Sequence, residues 1–259
     1  MKTRRIEFLG CPLDRMTSDD LLEELKEKVR AHSGASVIQF VNANKVAQVH
    51  ADPAMEWILK RADYVLADGQ PILPMAKMLG QEVPERIDGI GLVGKLLALA
   101  NAEGFSVYLL GAKQEVVEEC VRRIRQEYPN VRVAGYRNGY FKADEVPAIA
   151  KEVAGTHPDF LFLGMGSPMK KRLADVWRDE FGAAVIQGVG GSFDVMAGFV
   201  RRAPGWMQRM GMEWLYRVLQ EPRRMFGRYL KTNSVCLWLF IKALMRRMSP
   251  FGRHQATRA

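Results

Sequence analysis

The chain has 259 residues, 48% of them hydrophobic and 26% charged, with a formal net charge of +9 at pH 7. That is an ordinary globular composition, enough for one large α/β domain and a small attachment, and it excludes a low-complexity or disordered chain. The surplus charge is uneven: residues 201–259 hold 13 Lys or Arg and 2 Asp or Glu, whereas residues 1–200 hold 25 and 27.

A nearly neutral body of residues 1–200 therefore carries a basic appendage, residues 201–259. Such a split points to a polyanionic partner, either a membrane or a nucleic acid. The appendage also contains Trp206, Trp214, Tyr216, Phe226, Tyr229, Trp238, Phe240 and Phe251. Arginine mixed with aromatic rings suits a membrane interface, where rings enter the headgroup layer and cations meet anionic lipid. The most apolar run, Val235 to Ile241, stops at Lys242. It is far short of the roughly 20 residues a transmembrane helix needs. It fits a helix packed on the body or one lying in the interface, and its basic flanks favour the second. No secretory signal is expected, and Cys11, Cys120 and Cys236 fit free thiols in a reducing cytoplasm.

Strands are expected at Ile6–Leu9, Val37–Val41, Tyr64–Ala67, Val107–Leu110, Val131–Ala134, Phe160–Leu163 and Ala184–Gln187. Helical patterns lie between them. Leu21–Val29 follows Thr17-x-x-Asp20, a capping-box-like start. Val46–Arg61 contains Asp52-Pro53, which marks a boundary inside it. Leu92–Ala102, Val116–Tyr128, Val146–Ala154 and Met169–Phe181 complete the set. Alternation of helices with near-continuous apolar strands predicts a Rossmann-like, mainly parallel sheet covered by helices, with a basic helical appendage.

In such sheets a ligand sits at the carboxyl ends of the strands. Five strand ends offer small, polar or acidic residues: Asn42-Ala43-Asn44, Asp68-Gly69-Gln70, Gly111-Ala112, Gly164-Met165-Gly166, and Gly190-Gly191-Ser192. Glycine lets backbone N–H groups approach a phosphate, although any single such turn is as well explained as a tight loop. Asp68 ends an apolar strand before a glycine. It fits a partly desolvated general base or an Asp that caps its own turn. Gly164-x-Gly166 matches a dinucleotide fingerprint poorly, because Met169 stands at the third glycine position. No phosphate-binding Gly-Lys-Ser/Thr loop and no Asp-x-Asp pair occurs, and His32, His50, His157 and His254 lack metal-ligand spacing. No metal and no cofactor is expected. Arg217, Arg224 and Lys231 recur every seven residues, a stripe that fits phosphate contact or a solvated face.

The chain resembles the WecG/TagA/CpsF family of bacterial glycosyltransferases from about Ile6 to Tyr229. The resemblance rests on Ala67-Asp68-Gly69, Val83-Pro84-Glu85-Arg86-Ile87, Leu109-Leu110-Gly111 and Gly135-Tyr136-Arg137-Asn138-Gly139-Tyr140-Phe141. It continues through Gly164 to Pro168, Gly188 to Asp194, and Arg202 to Arg224, the longest match. It implies a metal-independent, inverting transfer from a UDP-sugar to a polyprenyl-diphosphate-linked saccharide at the cytoplasmic membrane face. It implies Asp68 as base, Asn42, Asn44 and Arg86 in the same pocket, and an appendage that closes over the site and helps to anchor the enzyme. Gly69, Gly111, Gly166 and Gly190 would give the nucleotide room. Arg86, Arg217 and Arg224 are candidates for diphosphate contacts, since arginine holds phosphate oxygens in paired hydrogen bonds.

Three positions depart from the family pattern. Asn42 stands where many members have Thr, Lys170 where the usual residue is Gln, and Gly91 where an Asp is usual, with Asp88 three residues earlier. A cationic Lys170 suits an anionic donor sugar or direct diphosphate contact. The expected protein is a peripheral cytoplasmic membrane enzyme that can self-associate. A nucleic-acid-binding protein and a nicotinamide-dependent oxidoreductase are the alternatives. The absence of a recognised nucleic-acid motif and the incomplete fingerprint count against them.

Overall fold

The structure is a computed structural model that describes residues 4–166, 169–210, 212–220 and 222–248; within these, the side chains of 169–172, 209, 217, 223–226 and 228 lie outside the described set. Its centre is a six-stranded, all-parallel sheet in the order β4-β3-β8-β7-β5-β6. The strands are β3 (Ser36–Val41), β4 (Tyr64–Ala67), β5 (Ser106–Gly111), β6 (Arg132–Arg137), β7 (Phe160–Gly164) and β8 (Val185–Gly188). β5 and β7 are buried along their whole length, which explains why both read as unbroken apolar runs.

The expected first strand lies outside this sheet. β1 (Arg5–Phe8) and β2 (Cys11–Asp14) form a separate antiparallel hairpin turned at Leu9-Gly10, both with positive φ. This hairpin covers the β4 edge. Asp14 accepts a 2.7 Å hydrogen bond from the Val65 N–H, an edge donor that would otherwise be left unpaired. Arg5 binds the same carboxylate at 2.7 Å and donates to the Ala62 and Asp63 carbonyls at 3.1 and 3.0 Å.

The helices follow the predicted alternation with instructive differences. α1 (Ser18–Arg30) begins with the expected capping box between Thr17 and Asp20. The Val46–Arg61 pattern is two helices, α2 (Ala43–Ala51) and α3 (Pro53–Arg61), broken at Asp52 as Asp52-Pro53 suggested. α4 (Ile72–Met78) was not expected, because Pro74 interrupts its pattern. α5 (Gly89–Glu103) starts earlier than expected, since the Asp88 side chain caps it by accepting from Gly91 N–H at 2.8 Å. α6 (Gln114–Glu127), α7 (Val146–Gly155), α8 (Met169–Val176) and α9 (Ser192–Met196) complete the layers of the body.

Beyond residue 200 come α10 (Gly205–Arg209), α11 (Glu213–Gln220) and the 27-residue α12 (Pro222–Met248). α12 packs along α2, burying Cys236 in the cluster formed by Phe8, Leu13, Val46 and Leu59; Phe240 is buried as well. Its other side leaves Leu230, Leu237, Trp238, Ile241, Met245 and Met248 exposed. Phe240 thus belongs to the face packed on the body and Trp238 to the free one. Among the described residues, no helix is long and apolar enough to cross a membrane.

Candidate active site

A cleft of about 300 Å³ opens at the carboxyl ends of β3, β4 and β8. Asn42, Asn44 and Lys45 line it from the start of α2, Asp68 from the end of β4, Asp88 to Ile90 from the start of α5, Gly188 to Ser192 after β8, and Glu213 from α11. Two helices, α2 and α5, thus begin at its wall, where the positive end of each helix dipole favours anions.

Local hydrogen bonds aim the side chains. The Asp68 and Gly69 N–H groups both donate to the Val41 carbonyl, at 2.9 and 3.3 Å, folding the end of β4 back onto the end of β3. Asn42 is fixed at both ends of its amide: Oδ1 accepts from Lys45 N–H at 3.0 Å, and Nδ2 donates to Asp68 Oδ2 at 3.1 Å. A Cβ on Gly69 would stand 3.1 Å from Asn42 Cα, so glycine permits this approach. Asp68 is partly open to the cleft. Burial pushes its carboxyl up from the usual range. The Asn42 hydrogen bond works against this, Asp88 adds to it, Arg86 opposes it and Glu213 adds again.

Arg86 lies behind Asp68. Its Nη1 donates to the Asp68 carbonyl at 3.4 Å and its Nη2 stands 3.7 Å from Asp88 Oδ2. The segment that carries it is anchored by Glu85, which accepts from Ser18 N–H at 2.7 Å and lies 3.6 Å from Lys95. Ile87 N–H donates to the Ala67 carbonyl at 2.8 Å, which seats the segment against β4. Gln187, fully buried on β8, donates to the Gly89 carbonyl at 2.9 Å and holds the start of α5. Asp88 closes over Gly91, where a Cβ would come within 2.8 Å of its Oδ2. Asp88 thus fills the space beside Gly91 that a side chain at that position would enter.

Of the expected site residues, Asn42, Asn44, Asp68 and Gly190 line the cleft, with Gly69 and Arg86 directly against it. Gly111 and Gly166 do not line it. Gly111, at φ 143°, packs against the Gly164 backbone and under Gly139, where a Cβ has no room. Gly166 is exposed beyond β7. Lys170 falls in α8, Arg217 in α11 and Arg224 in α12, and the side chains of all three lie outside the described residues.

Sequence reasoning noted Asp88 only as the Asp three residues before Gly91, and it passed over Lys45, Glu213 and Arg202 as site residues. Arg202 Nη2 meets Asp88 Oδ1 at 2.8 Å, and its Nε meets Glu213 Oε1 at 3.4 Å. An Asp preceding a glycine-rich helix start was the available signal for Asp88. Among the described residues, no group of three or more His, Cys, Asp or Glu side chains converges as a metal site.

A parallel sheet with a polar, carboxylate-bearing cleft at its strand ends is the layout of an α/β enzyme that holds its substrate there. Residues 6–250 match the model described as the glycosyl transferase WecG/TagA/CpsF family, and the chain belongs to that family of glycosyltransferases. It is 36% identical over 224 residues to an N-acetylglucosaminyldiphosphoundecaprenol N-acetyl-beta-D-mannosaminyltransferase of Bacillus subtilis (strain 168), covering 86% of each chain. It is 31% identical over 243 residues to the enzyme of that name from Staphylococcus aureus (strain MW2), covering 93% of this chain and 94% of that one. These matches favour glycosyl transfer over nucleic-acid binding and over nicotinamide-dependent oxidation.

Proposed function

We propose that the protein transfers an N-acetylhexosamine from a UDP-sugar to a polyprenyl-diphosphate-linked N-acetylglucosamine, with inversion and without a metal. The relatives' names supply the sugar and acceptor classes. The observation that carries the mechanism is Asp68, partly open to a cleft at the strand ends and tied to Asn42 at 3.1 Å.

Direct displacement needs a base to take the acceptor hydroxyl proton as that oxygen attacks the anomeric carbon. Asp68, its proton affinity raised by burial, fills that role. As the bond to the departing diphosphate breaks, negative charge grows on its oxygens. The start of α5, Arg86 and the appendage residues Arg217 and Arg224 offset it. Gly190 leaves room for the nucleotide. Lys170 adds a cation that suits diphosphate.

The division into a catalytic unit, residues 1–200, and an appendage, residues 201–259, belongs to the same reading. The exposed apolar stripe of α12 rests in the headgroup layer of the cytoplasmic face. Lys231, Lys242 and Arg246 flank this stripe, and Lys242 lies over the Trp238 ring at 5.0 Å. A UDP-release screen of UDP-sugars, with a short-chain polyprenyl-diphosphate N-acetylglucosamine as acceptor, tests the reading. Release with UDP-N-acetylmannosamine is expected. Release only with a nucleotide other than UDP, or only on a lipid-free sugar, overturns it.

A further inference from the structure

We infer that Arg202 is a positioning residue for the transfer reaction: its guanidinium bridges Asp88 and Glu213, holds the start of the appendage over the cleft, and offsets two carboxylates that face Asp68. The inference rests on the reading of Asp68 as the base.

The segment between β8 and α11 is tied to the cleft at two points that flank Asp68. On one side Gln70, two residues after Asp68, donates to the Gln208 carbonyl at 3.0 Å. On the other side Arg202 reaches Asp88 at 2.8 Å and Glu213 at 3.4 Å. Between them Ala203 is buried, and its carbonyl accepts from Gln208 at 2.6 Å. Arg202 is itself three-quarters buried, with 24% side-chain exposure, so its charge is poorly screened by water.

Around the Asp68 carboxylate, the described residues place Asn42 and Lys45 from α2, Arg86 and Asp88 from the segment entering α5, and Glu213 from α11. Asp88 and Glu213 both disfavour an ionised Asp68. Arg202 does not touch Asp68. It acts through these two carboxylates by lending each a cation. Without it, three carboxylates share one confined cleft, and like charges in such a setting hold on to protons. An exposed ion pair would do little of this, and an ion pair kept for stability alone would leave the field at Asp68 unchanged.

The test uses the full chain and two separate readouts. The first is the Asp68 carboxyl titration by ¹³C NMR, its signal identified as the one missing from Asp68→Asn. In Arg202→Ala the midpoint moves up from wild type. In Arg202→Lys it stays near wild type. In Arg202→Ala/Asp88→Asn it falls back, because one of the exposed negative charges is gone. Should Arg202→Ala not fold, Arg202→Gln, which lacks the charge but keeps a hydrogen-bonding side chain, is read in its place. An unmoved midpoint in the charge-removing variant overturns the role of Arg202 and leaves the base reading intact. The second readout is UDP release at neutral pH, where Arg202→Ala loses roughly 10- to 100-fold in kcat/KM and Arg202→Lys retains most of it. Turnover that survives in Asp68→Asn removes Asp68 as the base, and the titration still decides whether Arg202 controls that carboxyl.

Discussion

Asn42 and Asp68 meet at 3.1 Å although they lie on different strand ends, because β3 and β4 are parallel neighbours with Val41 paired to Ala67. One amide does two tasks there. It caps α2 and steadies the ionised form of the carboxylate. Asn42→Ala should cost about 1 kcal/mol of stability through the lost cap. It should also move the acidic limb of the rate profile to higher pH. Thermal unfolding and a kcat/KM profile measure the two effects separately; a cap loss with an unmoved limb separates Asn42 from the chemistry.

Asp68 should cost the fold stability at neutral pH. A carboxyl whose folded pKa is raised binds its proton more tightly folded than unfolded. Folding therefore loses stability as pH rises from the unfolded value through the folded one. Asp68→Asn removes that penalty. Its melting temperature should exceed wild type at about pH 8, and the gap should close towards about pH 4, where wild-type Asp68 is protonated. A variant less stable than wild type at both pH values contradicts the raised proton affinity.

The legible parts of the fold were those set by local pattern. β5 and β7 stood out because buried parallel strands are apolar throughout. The Thr17–Asp20 cap and the break at Asp52 followed from short-range hydrogen bonding and proline chemistry. β2 was missed because Pro12 argues against a strand, and an edge hairpin tolerates it. The start of α5 was missed because Gly89-Ile90-Gly91 has the composition of a loop, while the Asp88 cap overrides it. In the site, Asn42 and Asp68 were legible as polar residues closing apolar strands. The bridge from Arg202 to Asp88 and Glu213 was not, since their meeting depends on strand order and on the route of the appendage across the cleft.

Gly111 is expected to act through packing. A Cβ on Gly139 would stand 3.0 Å from the Gly111 Cα, and the Gly111 φ of 143° disfavours a side chain there. Gly111→Ala should destabilise the protein by roughly 1–3 kcal/mol, since its methyl group would meet the Gly164 backbone. UDP affinity of the folded fraction should hold near wild type. Denaturant unfolding with calorimetric UDP titration checks both, and a large affinity loss at unchanged stability would place Gly111 at the nucleotide instead.

The two faces of α12 should separate experimentally. Phe240→Ala empties a buried position and should cost about 3–5 kcal/mol. Leu237→Glu with Ile241→Glu alters only exposed positions and should leave the melting temperature within a few degrees of wild type. That double variant should lose sedimentation with anionic vesicles. If it sediments as wild type does, the exposed stripe is not the membrane contact.

The most direct test of the base assignment is UDP release by Asp68→Asn, compared with wild type on the same donor and lipid-linked acceptor in the presence of chelator. The account predicts full wild-type turnover under chelation, and in Asp68→Asn a loss of about 10²–10⁴-fold with UDP-sugar affinity retained. Near-normal turnover in the variant, or wild-type activity that disappears with chelator and returns only with a divalent ion, would contradict it.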